Sequence, residues 1–246
     1  MYLCFFNTLL FLMKAKLYLI PTPIGAGAFD QIFPNLNIQF VPTIKYFIVE
    51  NVRTARRFLK KMNPAIDINQ LTFFVLNKKT NSEELSSFLA PIKKGHLVGL
   101  MSEAGVPGVA DPGADIVRLA HQKNIDVVPL IGPSSILLSL MASGLNGQSF
   151  AFNGYLPIKG NEKILELKKY EHRSTKENQT QIFIETPYRN QALMEFFIKN
   201  LSANTLLCIA ANINTKDEFI KTMRVKEWKN KLPEIHKKPA IFLFLA

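Results

Sequence analysis

Acidic residues are in short supply in this chain: 19 Asp plus Glu stand against 30 Lys plus Arg, a formal charge of +11. That excess creates a field that attracts polyanions, either nucleic acid or an anionic membrane, and charge alone does not choose between them. Cysteine is scarcer still. Cys4 and Cys208 are the only two; they have no metal spacing, and their density excludes a disulfide scaffold, so a reducing cytoplasm is the expected home. The four histidines, His96, His121, His172 and His236, are scattered without ligand spacing, which predicts ordinary packing or surface roles and no metal. No G-x-G-x-x-G, G-x-x-x-x-G-K-[ST] or G-x-S-x-G occurs; GAGAFD breaks the first pattern. The sequence therefore gives little support to conventional dinucleotide, P-loop and α/β-hydrolase sites, and no internal repeat is present.

Long apolar runs are also missing. A spanning helix needs about 20 apolar residues. MYLCFFNTLLFL is broken by Asn7 and Thr8 and stopped by Lys14 and Lys16. No basic residue precedes it and no small-residue cleavage site follows, so it fails as a signal peptide. Residues 1–13 are expected to be a leader or start-site extension, with Met13 beginning the domain, in preference to a packed extra helix or a membrane anchor.

What the chain does have is core: 48% of its residues are hydrophobic, ample for one large or two ordinary domains. Leu17–Ile20, Tyr46–Glu50, Phe73–Leu76, Leu97–Met101 and Asp126–Leu130 are nearly continuous apolar runs, the pattern of strands buried on both faces of a parallel sheet. Helical patterns over Val52–Met62, Ser82–Leu89 and Ala114–Lys123 lie between them and predict βαβ crossovers. The style then changes. QSFAFNG, QIFIE, TLLCIAA, EFIKTMRV and AIFLFLA are expected strands, with helices near Glu162–His172 and Tyr188–Leu201; the short NINTKD connection implies a mixed second sheet. Arg173–Gln181 is expected to be an exposed loop. The fold class is α/β, two α/β domains over 14–131 and 132–246, the first mostly parallel and the second mixed.

Three loops leave predicted strand ends: IPTPIGAG, SEAGVPGVADPG and IGPSSI. In a parallel sheet those ends share one edge, so the loops can converge on a single cleft. Pro21 and Pro23 fix φ while Gly25 and Gly27 allow close backbone approach. Glu103 and Asp111 add carboxylates. Ser134 and Ser135 stand at a helix N-terminus, where plain capping competes with ligand binding. Glu50 ends the second strand, where helix capping or pairing to Arg53 is its ordinary role. Arg53, Arg56, Arg57, Lys60 and Lys61 fall on one helical stripe, opposite Val52, Ala55, Leu59 and Met62. That stripe either steers phosphates or is simply a solvated face.

LYLIPTPIG, SEAGVPGVADPGAD, VPLIGPSSILLSLMASGL and FAFNGYLPIKG, in this order, resemble the tetrapyrrole-methylase superfamily of S-adenosylmethionine-dependent methyltransferases. Within it the likeness is to the branch of ribosomal RNA small subunit methyltransferase I, which methylates a ribose 2′-hydroxyl. The resemblance runs from Lys16 to about Ala246. It implies a dimeric, cytoplasmic two-domain enzyme holding S-adenosylmethionine in the interdomain cleft, releasing S-adenosylhomocysteine, with ribosomal RNA as substrate and no membrane. Matched to the motifs, the implied donor contacts are Pro23, Ile24, Glu103, Gly105, Val106, Ala110, Asp111, Ser134 and Ser135. The second domain adds Ile184, Glu185, Ala210, Ala211 and Ala240, while Arg53, Arg56 and Arg57 guide the RNA; a ribose hydroxyl must also lose its proton as it attacks, and Glu50 at the end of the second strand is the candidate base. The acceptor side departs from the pattern: E-D-T-R is Glu50-Asn51-Val52-Arg53, LNKKT follows the third strand, and A-R-E-L-T-K is Ala211-Asn212-Ile213-Asn214-Thr215-Lys216. A methyltransferase acting on a small molecule such as a tetrapyrrole is one alternative. A non-catalytic protein that binds the donor and RNA is another.

Overall fold

The computed structural model describes residues 15–25, 29–77, 80–229 and 231–246. The expected leader over 1–13 and the loop residue Gly27 lie outside them. The chain divides into two compact units, meeting in sequence between Pro133 and Ser134.

In the first unit, β1 (Leu17–Ile20), β2 (Tyr46–Val49), β3 (Thr72–Val75), β4 (Val98–Met101) and β5 (Val127–Pro129) form one sheet in the order β3-β2-β4-β1-β5. Every pairing is parallel. One face of the sheet packs Tyr18, Phe40, Phe47 and Leu59; the other packs Leu17, Ile48, Leu100 and Ile116. Burial on both faces is why the three inner strands, β1, β2 and β4, carry no polar alternation. Space is tight: a Cβ at Gly99 in β4 would lie 2.5 Å from Ile20 Cδ1.

The helices of this unit are α1 (Phe29–Ile32), α2 (Asn35–Phe40), α3 (Val52–Met62), α4 (Ser82–Phe88), α5 (Ala90–Lys93) and α6 (Ala114–Gln122). The sequence pattern gives α3, α4 and α6 nearly to the residue. It does not give α1 and α2, whose apolar residues are spaced by packing against Phe58 and Tyr18.

In the second unit, α7 (Ser135–Ser143) is followed by β6 (Phe150–Phe152), α8 (Gly160–Glu177), β7 (Thr180–Ile184), a 3-10 turn (Pro187–Arg189), α9 (Asn190–Asn200), β8 (Leu206–Ala211), β9 (Phe219–Arg224), α10 (Val225–Trp228) and β10 (Ala240–Leu245). The sheet order is β6-β7-β10-β8-β9. Only β6 and β7 are parallel; the other neighbours are antiparallel, a mixed sheet as expected. Phe183, Phe197, Phe242, Phe244 and Trp228 fill its core, and the Trp228 indole N–H reaches the Leu207 carbonyl at 2.9 Å.

One expectation is corrected here. Arg173–Gln181 is not an exposed loop: α8 runs through it to Glu177, and β7 begins at Thr180. Three features hold it. Ser174 is fully buried and its Oγ accepts the Ala246 N–H at 2.9 Å, Asn178 ends the helix in the left-handed region at φ 47, and Thr180 and Gln181 are buried. Polar side chains with assigned partners inside a fold read from composition alone as a solvated loop.

Among the described residues, no helix is long and apolar enough to cross a membrane. No group of three or more His, Cys, Asp or Glu among them could hold a metal ion.

Candidate active site

Three loops of the first unit meet beyond the carboxyl ends of its strands. Thr22, just after β1, exchanges backbone hydrogen bonds with Gly105: its N–H donates to Gly105 O at 2.8 Å, and the Gly105 N–H donates to Thr22 O at 3.1 Å. The buried Thr22 hydroxyl donates to the Ser102 carbonyl at 3.2 Å, and the Ser102 hydroxyl donates to Gly105 O at 2.9 Å. The third loop closes on the first so tightly that a Cβ at Gly132 would clash with the Pro21 ring, 2.1 Å from its Cγ. Gly105 lies against Ile24 and the Pro133 carbonyl: a Cβ added there would sit 3.4 and 3.6 Å from them.

The middle loop owes its shape to left-handed backbone. Gly105 (φ 80), Gly108 (φ 79), Ala110 (φ 61) and Gly113 (φ 134) all lie in that region. At Gly113 a Cβ would also meet Leu100 Cδ2 at 2.9 Å. Ala110 is exposed there without the glycine exemption, a local strain of the kind that binding loops hold. Pro23, Ile24, Val106 and Asp111 are half-buried along the same rim.

Three carboxylates converge on this edge. Burial chiefly, then Asp111 and Glu103, push the Glu50 carboxyl above its ordinary range, opposed by the Glu103 backbone N–H. Burial and Glu103 push Asp111 up as well. Glu50 Oε1 is buried and has no hydrogen-bond partner among the described residues. An unpartnered buried carboxylate oxygen is costly in a fold and calls for a functional account.

The alternative role for Glu50 falls away, because Asn51 is the helix cap: its Oδ1 accepts from the Arg53 and Thr54 backbone N–H groups at 2.9 and 3.4 Å. Nor is Glu50 ion-paired to Arg53 among the described residues. The departure from Asp to Asn at position 51 therefore keeps the cap, since both residues cap well. Thr54, which the sequence reading did not single out, places its hydroxyl 2.6 Å from Glu103 Oε1. It shares a pocket of about 60 Å³ with Thr22, Pro23, Met101, Ser102 and Glu103. No motif announces Thr54; only the fold brings it to Glu103, 49 residues on.

Arg53, Arg56, Arg57, Lys60 and Lys61 form one exposed face of α3, opposite buried Ala55, Phe58, Leu59 and Met62. None of the five is ion-paired to a carboxylate among the described residues. Arg56 lies over the Phe73 ring at 5.5 Å and Lys61 over Phe29 at 5.0 Å.

In the second unit Ser134 stands at the N-cap of α7, yet its side chain makes no capping bond, so plain capping is not its role; Ser135 follows, half-buried. Ile184, Ala210, Ala211 and Ala240 gather at one end of the mixed sheet, where Ile241 faces Ile184 and Ala210, and Ala240 faces Ala211. Glu185 accepts from the Thr186 N–H at 2.7 Å and from Arg189 Nη2 at 2.6 Å. Lys163, held below its ordinary range by burial, lies near both. Arg189 and Lys163 were not singled out by sequence either.

No family model matches the chain. It is 29% identical over 215 residues to the ribosomal RNA small subunit methyltransferase I of Vibrio cholerae, covering 86% of this chain and 69% of that protein. Against the protein of that name from Buchnera aphidicola subsp. Schizaphis graminum the figures are 30% over 207 residues, 83% and 67%; against that of Streptococcus pyogenes serotype M6 they are 31% over 198 residues, 79% and 61%. Among solved structures it is similar to the methyltransferase CobJ, with a TM-score of 0.59 at 15% identity over 94% of this chain and 93% of that one. It is also similar to CbiF, a cobalt precorrin-4 methyltransferase, with a TM-score of 0.57 at 16% identity over 94% and 95%. At such identities the likeness is one of fold.

Proposed function

The chain is a methyltransferase belonging to the ribosomal RNA small subunit methyltransferase I family, and on that premise we propose that it methylates a ribose 2′-hydroxyl of ribosomal RNA with S-adenosylmethionine as donor. The observation that carries the proposal is the buried, unpartnered Oε1 of Glu50 beside the middle loop. That loop suits the donor: left-handed backbone at Gly105, Gly108 and Ala110 turns main-chain amides and carbonyls toward a ligand, and nearby carboxylates complement a positive sulfur. The donor supplies an already activated methyl group, so the protein has to align the acceptor, exclude water and accept one proton.

Glu50 takes that proton. Its raised affinity for a proton, from burial and from Asp111 and Glu103, makes it a better base than a solvated carboxylate. Thr54 orients Glu103 from the flank. Arg53, Arg56 and Arg57 hold phosphates on the exposed face of α3, where unpaired guanidinium groups suit a backbone contact. A cytoplasmic homodimer is part of the same proposal; exposed Leu137 and Met141, one turn apart on α7, offer an apolar face to a second copy. Sedimentation velocity tests it.

The function is tested with methyl-labelled donor and small ribosomal subunits from cells lacking the enzyme. One labelled nucleotide resistant to alkaline cleavage on its 3′ side is the expected product. Label confined to a base, or none in any RNA, overturns the reading.

A further inference from the structure

The second unit carries an exposed aromatic group that none of this chemistry uses. Tyr188, in the 3-10 turn after β7, is 70% exposed. Lys237 Nζ lies 5.7 Å from its ring centroid, and the exposed His236 imidazole meets it edge-on at 6.3 Å. The segment bearing His236 and Lys237 is firmly held. The Lys237 N–H donates to the Pro187 carbonyl at 3.0 Å, the fully buried Asn190 side chain donates to Lys238 O at 2.6 Å, and the Ile235 N–H donates to Gln191 Oε1 at 3.0 Å. Lys237 itself is fixed in the left-handed region at φ 60, a strained conformation for a lysine that these bonds over-determine. The fold thus invests strain and buried hydrogen bonding to present a tyrosine ring with a cation beside it.

We propose that Tyr188, with His236 and Lys237, is a stacking platform for an unpaired base of single-stranded RNA. The proposal rests on the RNA reading above and extends it to the second unit. Beside the ring the charge favours a polyanion: Arg189 is paired to Glu185, which leaves Lys237 and Lys238 against Glu234 in the same two segments. An aromatic ring with basic neighbours is the arrangement that captures a base while its phosphate is neutralised, and only unpaired bases offer a free face. An acidic protein segment would use the charge but not the ring.

The test is fluorescence anisotropy of the full chain with a labelled single-stranded RNA dodecamer, and with the same strand annealed to its complement. Tyr188→Ala is expected to weaken the single strand about tenfold and the duplex little. Tyr188→Phe should stay within about twofold of the parent. Lys237→Ala should weaken the single strand severalfold and lower the salt slope by about one. Equal affinity of Tyr188→Ala and the parent overturns the platform, as does equal loss on both probes, which would show no preference for an unpaired base. If the parent fails to bind the dodecamer yet still methylates ribosomal RNA, the platform falls and the proposed function stands. If neither occurs, both fall. An unchanged Tm for Tyr188→Ala shows that the exposed ring was not needed for folding.

Discussion

Glu50 in the first unit and Glu171 in the second are both carboxylates drawn into the fold, and their surroundings are opposites. Glu171 is surrounded by donors: Lys168 at 2.7 Å, the Ser202 N–H at 2.6 Å and the Thr205 hydroxyl at 3.0 Å. Burial raises its carboxyl, and these bonds more than reverse that, leaving it below the ordinary range. Glu50 has one oxygen without a partner and two further carboxylates in its field, and it sits above that range. One acid is a clamp joining α8 to the turn between α9 and β8; the other is an unsatisfied group kept at a loop-lined edge. Opposite partner sets around carboxylates drawn out of water are how a fold separates structural acids from reactive ones.

The comparison is most directly broken by exchanging both acids for their amides. Glu50→Gln is expected to lower kcat by about 100-fold or more, in the range of a lost general base, while donor affinity by calorimetry stays as in the parent. Glu171→Gln should leave kcat unchanged. Turnover untouched by the first exchange removes Glu50 from the chemistry; turnover lost in the second makes the distinction between the two acids false.

Stability should show the reverse. Glu171→Ala leaves the buried Thr205 hydroxyl and the Ser202 N–H without an acceptor, and is expected to cost about 2–3 kcal/mol in urea unfolding, as for a buried donor left unpaired. An effect under about 0.5 kcal/mol would mean water replaces the carboxylate, and that the site is more open than its burial suggests.

Part of this contrast was legible in the sequence. Glu50 stands out in the sequence because the resemblance implies a reaction that needs a base and because Glu50 ends the second strand, whose burial on both faces fixes where its last residue emerges. For the same reason α3, β1 and the parallel character of the first sheet followed from periodicity alone. The convergence of Glu50 with Asp111, and of Thr54 with Glu103, was not legible: those partners are distant in sequence, and the strand order that unites them depends on contacts a local pattern does not encode. Glu171 was hidden for a different reason. EHRSTKEN has the composition of a solvated segment, but Glu171 and Ser174 are buried in α8 because donors from the Ser202 turn and the chain end meet them there.

The two acids should also oppose each other as pH changes. Glu50 has a raised folded pKa, so the unfolded chain loses this proton first. Its contribution is most favourable below the usual carboxylate pKa, declines as pH rises to the folded value, and is a constant penalty above that. Glu50→Gln is therefore expected to melt higher than the parent at pH 7.5, with the gap closing near pH 4. For Glu171 the sign reverses: its contribution is present above the usual carboxylate range and is lost as pH falls through its lowered folded value. Thermal melts of Glu50→Gln and Glu171→Gln across pH 4 to 7.5 read both directly. A gap for Glu50→Gln that widens toward pH 4 would contradict the burial of its carboxylate.

The smallest expected effect belongs to Thr54. Its hydroxyl holds Glu103 at 2.6 Å and also lies 2.9 Å from the Asn51 carbonyl oxygen, so it ties the first turn of α3 to the loop that follows β4. Val52 occupies the position where the resembling branch has a threonine, and Thr54, two residues on, supplies a hydroxyl to the neighbouring acid. Thr54→Val keeps the shape and deletes the bond. Because the bond orients a flanking acid and does not move the reacting proton, the expected change is about threefold in donor KM with kcat nearly kept, in line with the net worth of one hydrogen bond. Thr54→Ser should restore the parent value. A kcat loss as large as that of Glu50→Gln would instead put the Thr54 hydroxyl in the proton path, and the reactive acid would then be Glu103.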